Sequence, residues 1–405
     1  MRFKGYSGPV GSGKSKALCY EAIRLSYLNA GRVGLLGAPT YRMLKDSTLK
    51  SVLETLSDQH IPHTFRRAEQ TITFPDNGST ILLRSLTNSE YLRGTNLSWF
   101  GIDELTYTNE TSWMQLEARL RDPKAKHYCG FGVWTPKGPD WVHRRFINGS
   151  NPNYQAIMAK PFENNYVLDK NPIYYDLLEN SYCESEYRQE VLGEYVTGDH
   201  NKVYGSFDPL LHLRNTTRKP HLPILWAFDF NVDPMCSLVA QKDCEHLTIL
   251  DELVLRRSGT AEMCSEFANR YGDHPGPIRI YGDASGNARS TKGTSDYDII
   301  RRTLRNSSIN SFMVVVPTKN PPVRDRVSLV NSLLKAAAGT VRLTLDMKCK
   351  ELIKDLQELR FKEGSSIVDK ASDPNRSHLS DALGYLSWQE YSNAKAHGDQ
   401  NRRLL

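Results

Sequence analysis

The sequence predicts an α/β protein of two domains, each built around a sheet of buried strands. Three observations support this fold class. The chain has 405 residues, more than a single hydrophobic core usually serves. Its first half alternates short apolar strand patterns with helical patterns, which indicates a parallel sheet with helices on both faces. Its second half contains paired strand patterns that precede a further strand and helices, which indicates a second α/β domain.

The composition excludes several classes of protein. Hydrophobic residues make up 39% and charged residues 24% of the chain, as in globular proteins with buried cores. No run of about 18 apolar residues occurs, so we expect no membrane span, and the short segment before Gly8 leaves no room for a signal peptide. The seven scattered cysteines form no C-x-x-C pair and suggest reduced thiols. The net charge of +6 permits a polyanionic partner without requiring one.

The first strand pattern leads into a glycine-rich loop, Gly8–Ser15, which fits the phosphate-loop pattern G-x-x-x-x-G-K-[ST] without a mismatch. In such a loop the backbone N–H groups surround a polyphosphate, Lys14 reaches its β- and γ-phosphates, and the Ser15 hydroxyl ligates Mg²⁺. The apolar period of residues 17–25 predicts that the loop opens a helix. We therefore expect nucleoside triphosphate binding and hydrolysis, although a surface turn would have a similar composition. The residues expected to contact the nucleotide are Gly8, Gly11, Ser12, Gly13, Lys14 and Ser15.

A later apolar strand pattern, residues 99–102, runs into the adjacent acids Asp103 and Glu104, which is the form of a Walker B element. Asp103 would hold the Mg²⁺ ion with its water, and Glu104 would polarise the attacking water. Thr135 ends another strand pattern and is placed to sense the γ-phosphate. An ordinary loop explains Thr135 equally well.

Phosphoryl transfer commonly uses an arginine to neutralise the charge that develops in the transition state. Most surface arginines are only solvated, so the sequence leaves this choice open. The candidates are Arg42, Arg93, Arg119 and Arg121.

Three acids of the second half belong to predicted secondary-structure elements. Asp229 lies in an apolar strand pattern, Asp283 ends another, and Asp381 lies on an amphipathic helix. His378 is three residues before Asp381 and so shares its helix face. Acids from separate elements can converge to bind two Mg²⁺ or Mn²⁺ ions, and such a pair of ions promotes cleavage of phosphodiesters. The spacing alone does not show convergence, because Asp283 and Asp381 are also suited to cap a turn and a helix.

The motifs of the first half resemble the ATPase domain of the large terminase subunits of tailed phages. The resemblance implies that ATP is the nucleotide and that Thr135 links the state of the γ-phosphate to movement of a lid. The family usually has an adenine-contacting segment upstream of the phosphate loop, whereas seven residues precede Gly8 here. The matching segments are Gly8–Ser15, 92–94, 99–104, 119–121 and 135–146.

The second half resembles the rest of the same family. Residues 187–195 and 203–207 are similar to the run that closes the terminase lid and leads into the nuclease. By this resemblance Asp229, Asp283 and Asp381 are the three acids of an RNase H-like nuclease, with His378 as a ligand or proton shuttle. The implied organisation is a P-loop ATPase domain at 1–160, a lid and linker at 161–205, an RNase H-like nuclease domain at 206–390 and a mobile tail at 391–405.

The resemblance implies a viral terminase large subunit that uses ATP and Mg²⁺ to move double-stranded DNA into a procapsid. It also implies metal-dependent cutting of concatemeric DNA. The implied partners are the portal protein, the small terminase subunit and further copies of the chain in a pentamer on the portal, with no membrane. The implied location is the cytoplasm of the bacterial host, with no place in the mature virion.

Two alternatives belong to other classes of protein. An ATP-dependent helicase or repair nuclease is disfavoured because the chain has one P-loop half rather than two motor lobes. A catalytically inactive assembly ATPase is disfavoured because the candidate catalytic residues are all present. These residues are Lys14, Asp103, Glu104, Asp229, Asp283 and Asp381.

Overall fold

The computed structural model describes residues 2–87, 94–196, 201–231, 233–288, 293–309, 311–362, 367–370, 373 and 376–401, with side chains up to residue 392. The chain forms two compact units. The first comprises Met1–Asp176 and Ser185–Thr197, and the second comprises Leu177–Glu184 and Gly198–Leu405. The segment 161–205, predicted as a lid and linker, is divided between the two units.

The first unit is built on an eight-stranded sheet. Its strands are β1 (Phe3–Ser7), β2 (Val33–Ala38), β3 (Thr64–Arg66), β4 (Thr71–Thr73), β5 (Thr80–Ser85), β6 (Trp99–Ile102), β7 (Cys129–Trp134) and β8 (Tyr154–Met158). They lie in the order β3-β4-β5-β2-β6-β7-β1-β8. The pairs from β5 to β8 along this order are parallel, and only the pairs of β4 with β3 and β5 are antiparallel. The predicted parallel sheet is therefore confirmed.

Helices cover both faces of this sheet, because two separate apolar clusters flank it. One cluster includes Leu18 and Val52, and the other includes Trp113 and Phe146. The α-helices of this unit are α1 (Lys14–Leu28), α2 (Tyr41–Met43), α3 (Lys50–Asp58), α4 (Glu110–Glu117) and α5 (Asn165–Lys170). Helices α6 (Tyr174–Ser181) and α7 (Glu184–Glu186) each span a boundary between the two units. Shorter 3₁₀ and π-helical stretches are Leu44–Leu49, Leu105–Tyr107, His143–Ile147 and Tyr187–Val191.

The second unit contains a seven-stranded mixed sheet. Its strands are β9 (Leu213–Arg214), β10 (Ile224–Asp229), β11 (Met235–Asp243), β12 (His246–Leu255), β13 (Ile278–Tyr281), β14 (Phe312–Val314) and β15 (Leu343–Asp346). They lie in the order β14-β13-β10-β11-β12-β15-β9. Strands β10, β11 and β12 form an antiparallel meander, and β13 and β14 lie parallel to β10 on its other side. This topology is RNase H-like, as predicted.

The helices of the second unit also pack on both faces of its sheet. They are α8 (Pro209–His212), α9 (Thr260–Tyr271), α10 (Asp296–Arg305), α11 (Val323–Leu334), α12 (Lys350–Glu358) and α13 (His378–Asn401), with a 3₁₀ turn at Ala284–Asn287. On α13 the buried residues Leu379, Ala382, Leu383 and Leu386 follow the period of a helix that faces a core. The tail predicted to be mobile from 391 continues this helix to Asn401, and residues 402–405 lie outside the described part of the chain.

The cysteines and the helices are the subject of two predictions from composition: reduced thiols and no membrane span. All seven cysteines are free thiols, and only Cys244 is exposed. Within the described ranges, none of the helices has the length and apolarity that a membrane-spanning segment needs.

Candidate active sites

The phosphate-loop motif forms the turn between β1 and α1. Gly11 and Gly13 have φ angles of 76° and 83°, in the left-handed region that glycine adopts without steric cost. Helix α1 begins at Lys14, so its first N–H groups, which have no partners within the helix, face the loop. The Lys14 side chain is buried, and its Nζ donates to the carbonyl oxygen of Pro9 at 3.2 Å. The loop thus has the curvature and the donors that a polyphosphate requires.

Asp103 directly follows β6 and is almost completely buried. Its carboxylate accepts hydrogen bonds from Thr48 Oγ1 at 2.9 Å and from the Glu104 N–H at 3.1 Å. Burial raises the pKa of Asp103, while the two hydrogen bonds and the nearby Lys14 charge oppose that rise. The Asp103 carboxyl group is therefore held in place by two specific donors.

Glu104 has a φ angle of 49°, in the left-handed region. A residue other than glycine is uncommon there, and the strain costs on the order of 1 kcal/mol. Such strained residues cluster at functional sites, where the surrounding structure maintains them. This backbone turn places Glu104 immediately beside the buried Asp103.

Thr135 lies at the same edge of the sheet as the two acids and the phosphate loop. Strand β7, which precedes Thr135, lies between β6 and β1. The Gly8 N–H donates to the Trp134 carbonyl at 3.0 Å, and Thr106 Oγ1 donates to the Thr135 carbonyl at 3.2 Å. The structure therefore brings together the phosphate loop, the acidic pair and Thr135 where ligands bind in open parallel sheets.

Of the candidate arginines, only Arg42 lies at this edge among the residues that the structure describes. It follows β2, its side chain is exposed, and its Nε lies 3.5 Å from Asp46 Oδ2. Arg93 lies outside the described residues.

Arg119 and Arg121 lie at the opposite edge of the sheet. The Arg119 carbonyl accepts from the N–H of Leu97, just before β6 begins, and Arg121 Nε donates to Asn96 Oδ1 at 2.8 Å. The two edges of the sheet are about 15–20 Å apart along β6 and its flanking residues. Neither guanidinium therefore reaches the phosphate loop of its own unit. Their predicted role therefore requires a second copy of the chain.

Segments distant in sequence also bind the phosphate loop. Asn164 Nδ2 donates to the Gly11 carbonyl at 2.6 Å, and the Val10 N–H donates to the Glu190 carbonyl at 2.7 Å. Tyr175 adds a longer contact from its hydroxyl to the Val10 carbonyl at 3.4 Å. These contacts could not be predicted from the sequence, because backbone carbonyls leave no signal in it.

Tyr195 joins the sheet to the lid segment, defined as residues 161–176 and 185–196, the described part of the first unit that was predicted as a lid. Its hydroxyl accepts from Trp134 Nε1 at 2.9 Å and lies 3.3 Å from Ser7 Oγ. Ser7 is the last residue of β1, directly before the phosphate loop, so Tyr195 holds the lid segment against the base of the loop.

In the second unit, the fold brings the predicted acids to one edge of the sheet. Asp229 ends β10 and Asp283 follows β13, and these two strands are neighbours and parallel. Helix α13 packs against β10 and carries His378 and Asp381. Nδ1 of His378 lies 3.0 Å from Oδ2 of Asp229 and 2.8 Å from Nδ2 of Asn231.

The three carboxylates share one electrostatic environment. Burial raises the pKa of Asp229, the charges of Asp381 and Asp283 raise it further, and His378 opposes the rise. Burial also raises the pKa of Tyr385, and the same three acids add to that effect. The charges of the three acids therefore act on one another, and Tyr385, which the sequence does not single out, lies within reach of the same charges.

Carboxylate oxygens are the ligands that Mg²⁺ and Mn²⁺ prefer, so this set of donors fits such ions. The oxygens already have protein partners, however. Asp283 accepts from Ser285 Oγ, and Asp381 accepts from Arg326 Nη1 at 3.1 Å and Lys370 Nζ at 2.5 Å. In the described part of the chain, no three histidine, cysteine or acidic side chains are close enough together to hold a metal ion.

Arg326 and Asp355 are further buried charged residues of this region, and no sequence motif marks either of them. Arg326 of α11 is buried, pairs with Asp381, and its guanidinium lies 4.2 Å from the ring centroid of Tyr385. Asp355 of α12 is also buried and accepts from the Ser380 N–H at 3.2 Å, at the start of α13. Burial raises the pKa of Asp355 to about 6.

Residues 1–194 match the family model described as phage terminase large subunit. No curated protein matches the sequence.

Solved terminase structures share the fold over nearly the whole chain. A large terminase from a thermophilic bacteriophage is 16% identical and has a TM-score of 0.63, covering 95% of this chain and 93% of its own. The ADP complex of that terminase gives the same values, and its ATP-γ-S complex gives a TM-score of 0.61 at the same identity and coverage. The second unit therefore continues the terminase fold beyond the segment that the family model matches.

Proposed function

We propose that this chain hydrolyses ATP to move double-stranded DNA into a phage procapsid and that it cuts concatemeric DNA with divalent metal ions. The observation that carries the motor half is the convergence of Gly8–Ser15, Asp103, Glu104 and Thr135 at one edge of the first sheet. The match of residues 1–194 to the phage terminase large-subunit model supports the same function. The nucleotide complexes of the thermophilic phage's large terminase, which shares this fold, support ATP as the substrate.

For hydrolysis, the phosphates of ATP lie in the loop, where the backbone N–H groups and Lys14 neutralise their charge. Ser15 and Asp103 would hold Mg²⁺, which supplies further positive charge to the phosphates when bound. Glu104 orients the attacking water and accepts its proton. Arg42 can act within the same unit, whereas Arg119 and Arg121 can act only on the site of another copy.

The lid segment is placed to respond to the nucleotide. Its bonds run from Asn164 to the Gly11 carbonyl and from the Val10 N–H to Glu190, so both join it to the loop that surrounds the phosphates. A change in loop shape during hydrolysis is therefore transmitted to the lid, which is how Thr135 and the loop would drive DNA movement.

For cutting, Asp229, Asp283 and Asp381 would hold two Mg²⁺ or Mn²⁺ ions. When bound, such a pair activates water and stabilises the leaving oxygen of a phosphodiester. His378 lies beside Asp229, where it can orient that carboxylate and carry a proton at Nδ1.

The proposed partners follow from this activity. They are double-stranded DNA, the portal protein, the small terminase subunit and other copies of the chain in a pentamer on the portal. The place of action is the cytoplasm of the bacterial host, and we expect no copy in the mature virion.

Plasmid cleavage and ATP hydrolysis by the same purified protein test both halves. Cutting should require Mg²⁺ or Mn²⁺ and disappear in Asp229→Ala, while ATP hydrolysis continues. A matched control is Asp243→Ala, because Asp243 is an exposed acid at the far end of the adjacent strand, where it pairs with Lys219. Undiminished cutting by Asp229→Ala contradicts its assignment. ATP hydrolysis without cutting in the presence of either metal would contradict the nuclease function and would indicate an assembly ATPase.

A further inference from the structure

Asp381 has two cationic partners that differ in their surroundings. Arg326 Nη1 donates to Oδ1, and its side chain is only 6% exposed and lies against Tyr385. Lys370 Nζ donates to Oδ2, and its side chain is 50% exposed. One carboxylate is thus held by a cation that is fixed in the core and by another that reaches it from solvent.

We propose that Lys370 is a displaceable counter-ion that occupies Oδ2 of Asp381 until a divalent metal ion takes its place. This inference rests on the proposed nuclease function. An oxygen that accepts from an ammonium group at 2.5 Å is poorly placed to ligate a metal, and the two cations would repel each other. Metal binding therefore requires Lys370 to leave.

The surroundings of the two cations decide which one can leave. The Lys370 side chain is half exposed, so water solvates its ammonium group once it leaves Asp381. Removing a buried guanidinium from its partner leaves an uncompensated charge, which is far more costly. Lys370 is therefore the displaceable partner, and Arg326 continues to orient the carboxylate.

The backbone around Lys370 permits this movement. Lys370 follows a short antiparallel pairing in which Phe361 faces Val368, and its N–H donates to the Val368 carbonyl. It lies in no helix or strand, so its side chain can change direction without breaking regular structure.

The arrangement of the acids fits the same interpretation. Asp229 and Asp283 lie at neighbouring strand ends, and Asp381 faces them from α13, yet in the described ranges no three such side chains share a position for an ion. With Lys370 on Oδ2, the negative charge of the acids is neutralised in part and one oxygen of Asp381 is occupied. The consequence is a nuclease site whose metal affinity is set by competition with one lysine.

The test is a titration of the full-length protein with Mn²⁺ in the absence of DNA and nucleotide. Electron paramagnetic resonance measures the concentration of Mn²⁺ that stays free in solution. Lys370→Gln should bind Mn²⁺ about tenfold more tightly than the wild type, because one positive charge beside the ion is removed. Lys370→Arg, which keeps the charge, should bind like the wild type. The control Lys362→Gln removes the same charge from an exposed position on the same short pairing and should have no effect.

A double variant shows whether the tighter Mn²⁺ binding occurs at the nuclease site. Asp283→Ala combined with Lys370→Gln should abolish the tighter binding that Lys370→Gln gives alone. Equal or weaker Mn²⁺ binding by Lys370→Gln overturns the counter-ion role and leaves the nuclease assignment intact, provided that the wild type still binds Mn²⁺ and cuts plasmid. If neither the wild type nor any variant binds Mn²⁺ or cuts, the nuclease function and the role of Lys370 are both overturned.

Discussion

Thr48 Oγ1 donates a hydrogen bond to Asp103 Oδ2 at 2.9 Å, although the two residues are 55 positions apart in the sequence. Both side chains are buried, so water cannot replace this donor. Thr48 lies in the π-helical stretch Leu44–Leu49, which follows β2, the neighbour of the strand that ends at Asp103. The bond makes Thr48 a positioning residue for the acid that would hold Mg²⁺.

Replacing Thr48 by valine keeps the shape of the side chain and removes the donor. Asp103 then loses an interaction that lowers its pKa, and its charged form is less stable. We expect the Mg²⁺ concentration for half-maximal ATP hydrolysis to rise about 5- to 30-fold, which corresponds to about 1–2 kcal/mol for one hydrogen bond to a charged group. The measurement is a Mg²⁺ titration of steady-state ATPase rate.

The matched control is Thr55→Val, because Thr55 is also buried and its hydroxyl donates to the Ser51 carbonyl within α3. It should leave the Mg²⁺ dependence unchanged. An equal shift in both variants would show that the effect arises from packing around α3 and not from Asp103.

Replacing Glu104 by glutamine removes the proposed proton acceptor and keeps the size of the side chain. ATP turnover should fall about 100- to 10,000-fold, the usual contribution of a general base, while ATP binding persists. Metal-dependent plasmid cutting should continue, because that activity uses Asp229, Asp283 and Asp381. Asp283→Ala should give the reverse pattern, and retained turnover in Glu104→Gln would remove Glu104 from its role.

Asp355 predicts a pH dependence of stability. Its ordinary pKa is 3.8, and burial raises it to about 6 in the folded chain. The folded state therefore holds this proton more tightly than the unfolded state, and the resulting stability is complete below about pH 4 and lost as the pH rises through about 6. The difference between the two pKa values corresponds to about 3 kcal/mol.

Asp355→Asn is neutral at every pH and can still accept from the Ser380 N–H. Its stability relative to the wild type should therefore increase between about pH 4.5 and about pH 7.5. Urea unfolding of both proteins across this range measures the difference. A constant difference between them would show that Asp355 keeps its ordinary pKa in the folded protein.

Substitution of Arg326 should cause a large loss of stability. Arg326→Met removes a buried cation from the Asp381 carboxylate and leaves that acid with the exposed Lys370. The free energy of unfolding should fall by about 3 kcal/mol, the usual cost of breaking one side of a buried pair. Arg324→Met, an exposed neighbour on α11, is the control and should change it by less than about 0.5 kcal/mol.

The α/β fold and the positions of the phosphate loop, Asp103 and Glu104 at strand ends could be predicted from the sequence, because their signals are local. A phosphate loop needs its glycines and Lys14 within a few positions, and Asp103 with Glu104 follows directly on an apolar strand. Parallel strands bring their carboxyl ends to one edge, so the convergence of such motifs follows from the topology.

The remaining site residues could not be predicted, because their roles depend on contacts between distant segments. Thr48, Asn164 and Lys370 have ordinary sequence surroundings, and only the fold places them beside Asp103, Gly11 and Asp381. Arg326 shows the same limit, since charge alone does not reveal that its helix turns it into the core. Arg119 and Arg121 are close in sequence to the Walker B strand, yet they lie at its other end.

The link between the phosphate loop and the lid segment has a consequence for how such proteins vary. The bond from the Val10 N–H to the Glu190 carbonyl joins two main-chain groups. Any amino acid supplies the carbonyl at position 190, and any except proline supplies the N–H at position 10. Relatives can therefore keep this mechanical connection while both residues change freely, and its presence has to be judged from backbone geometry in each new structure.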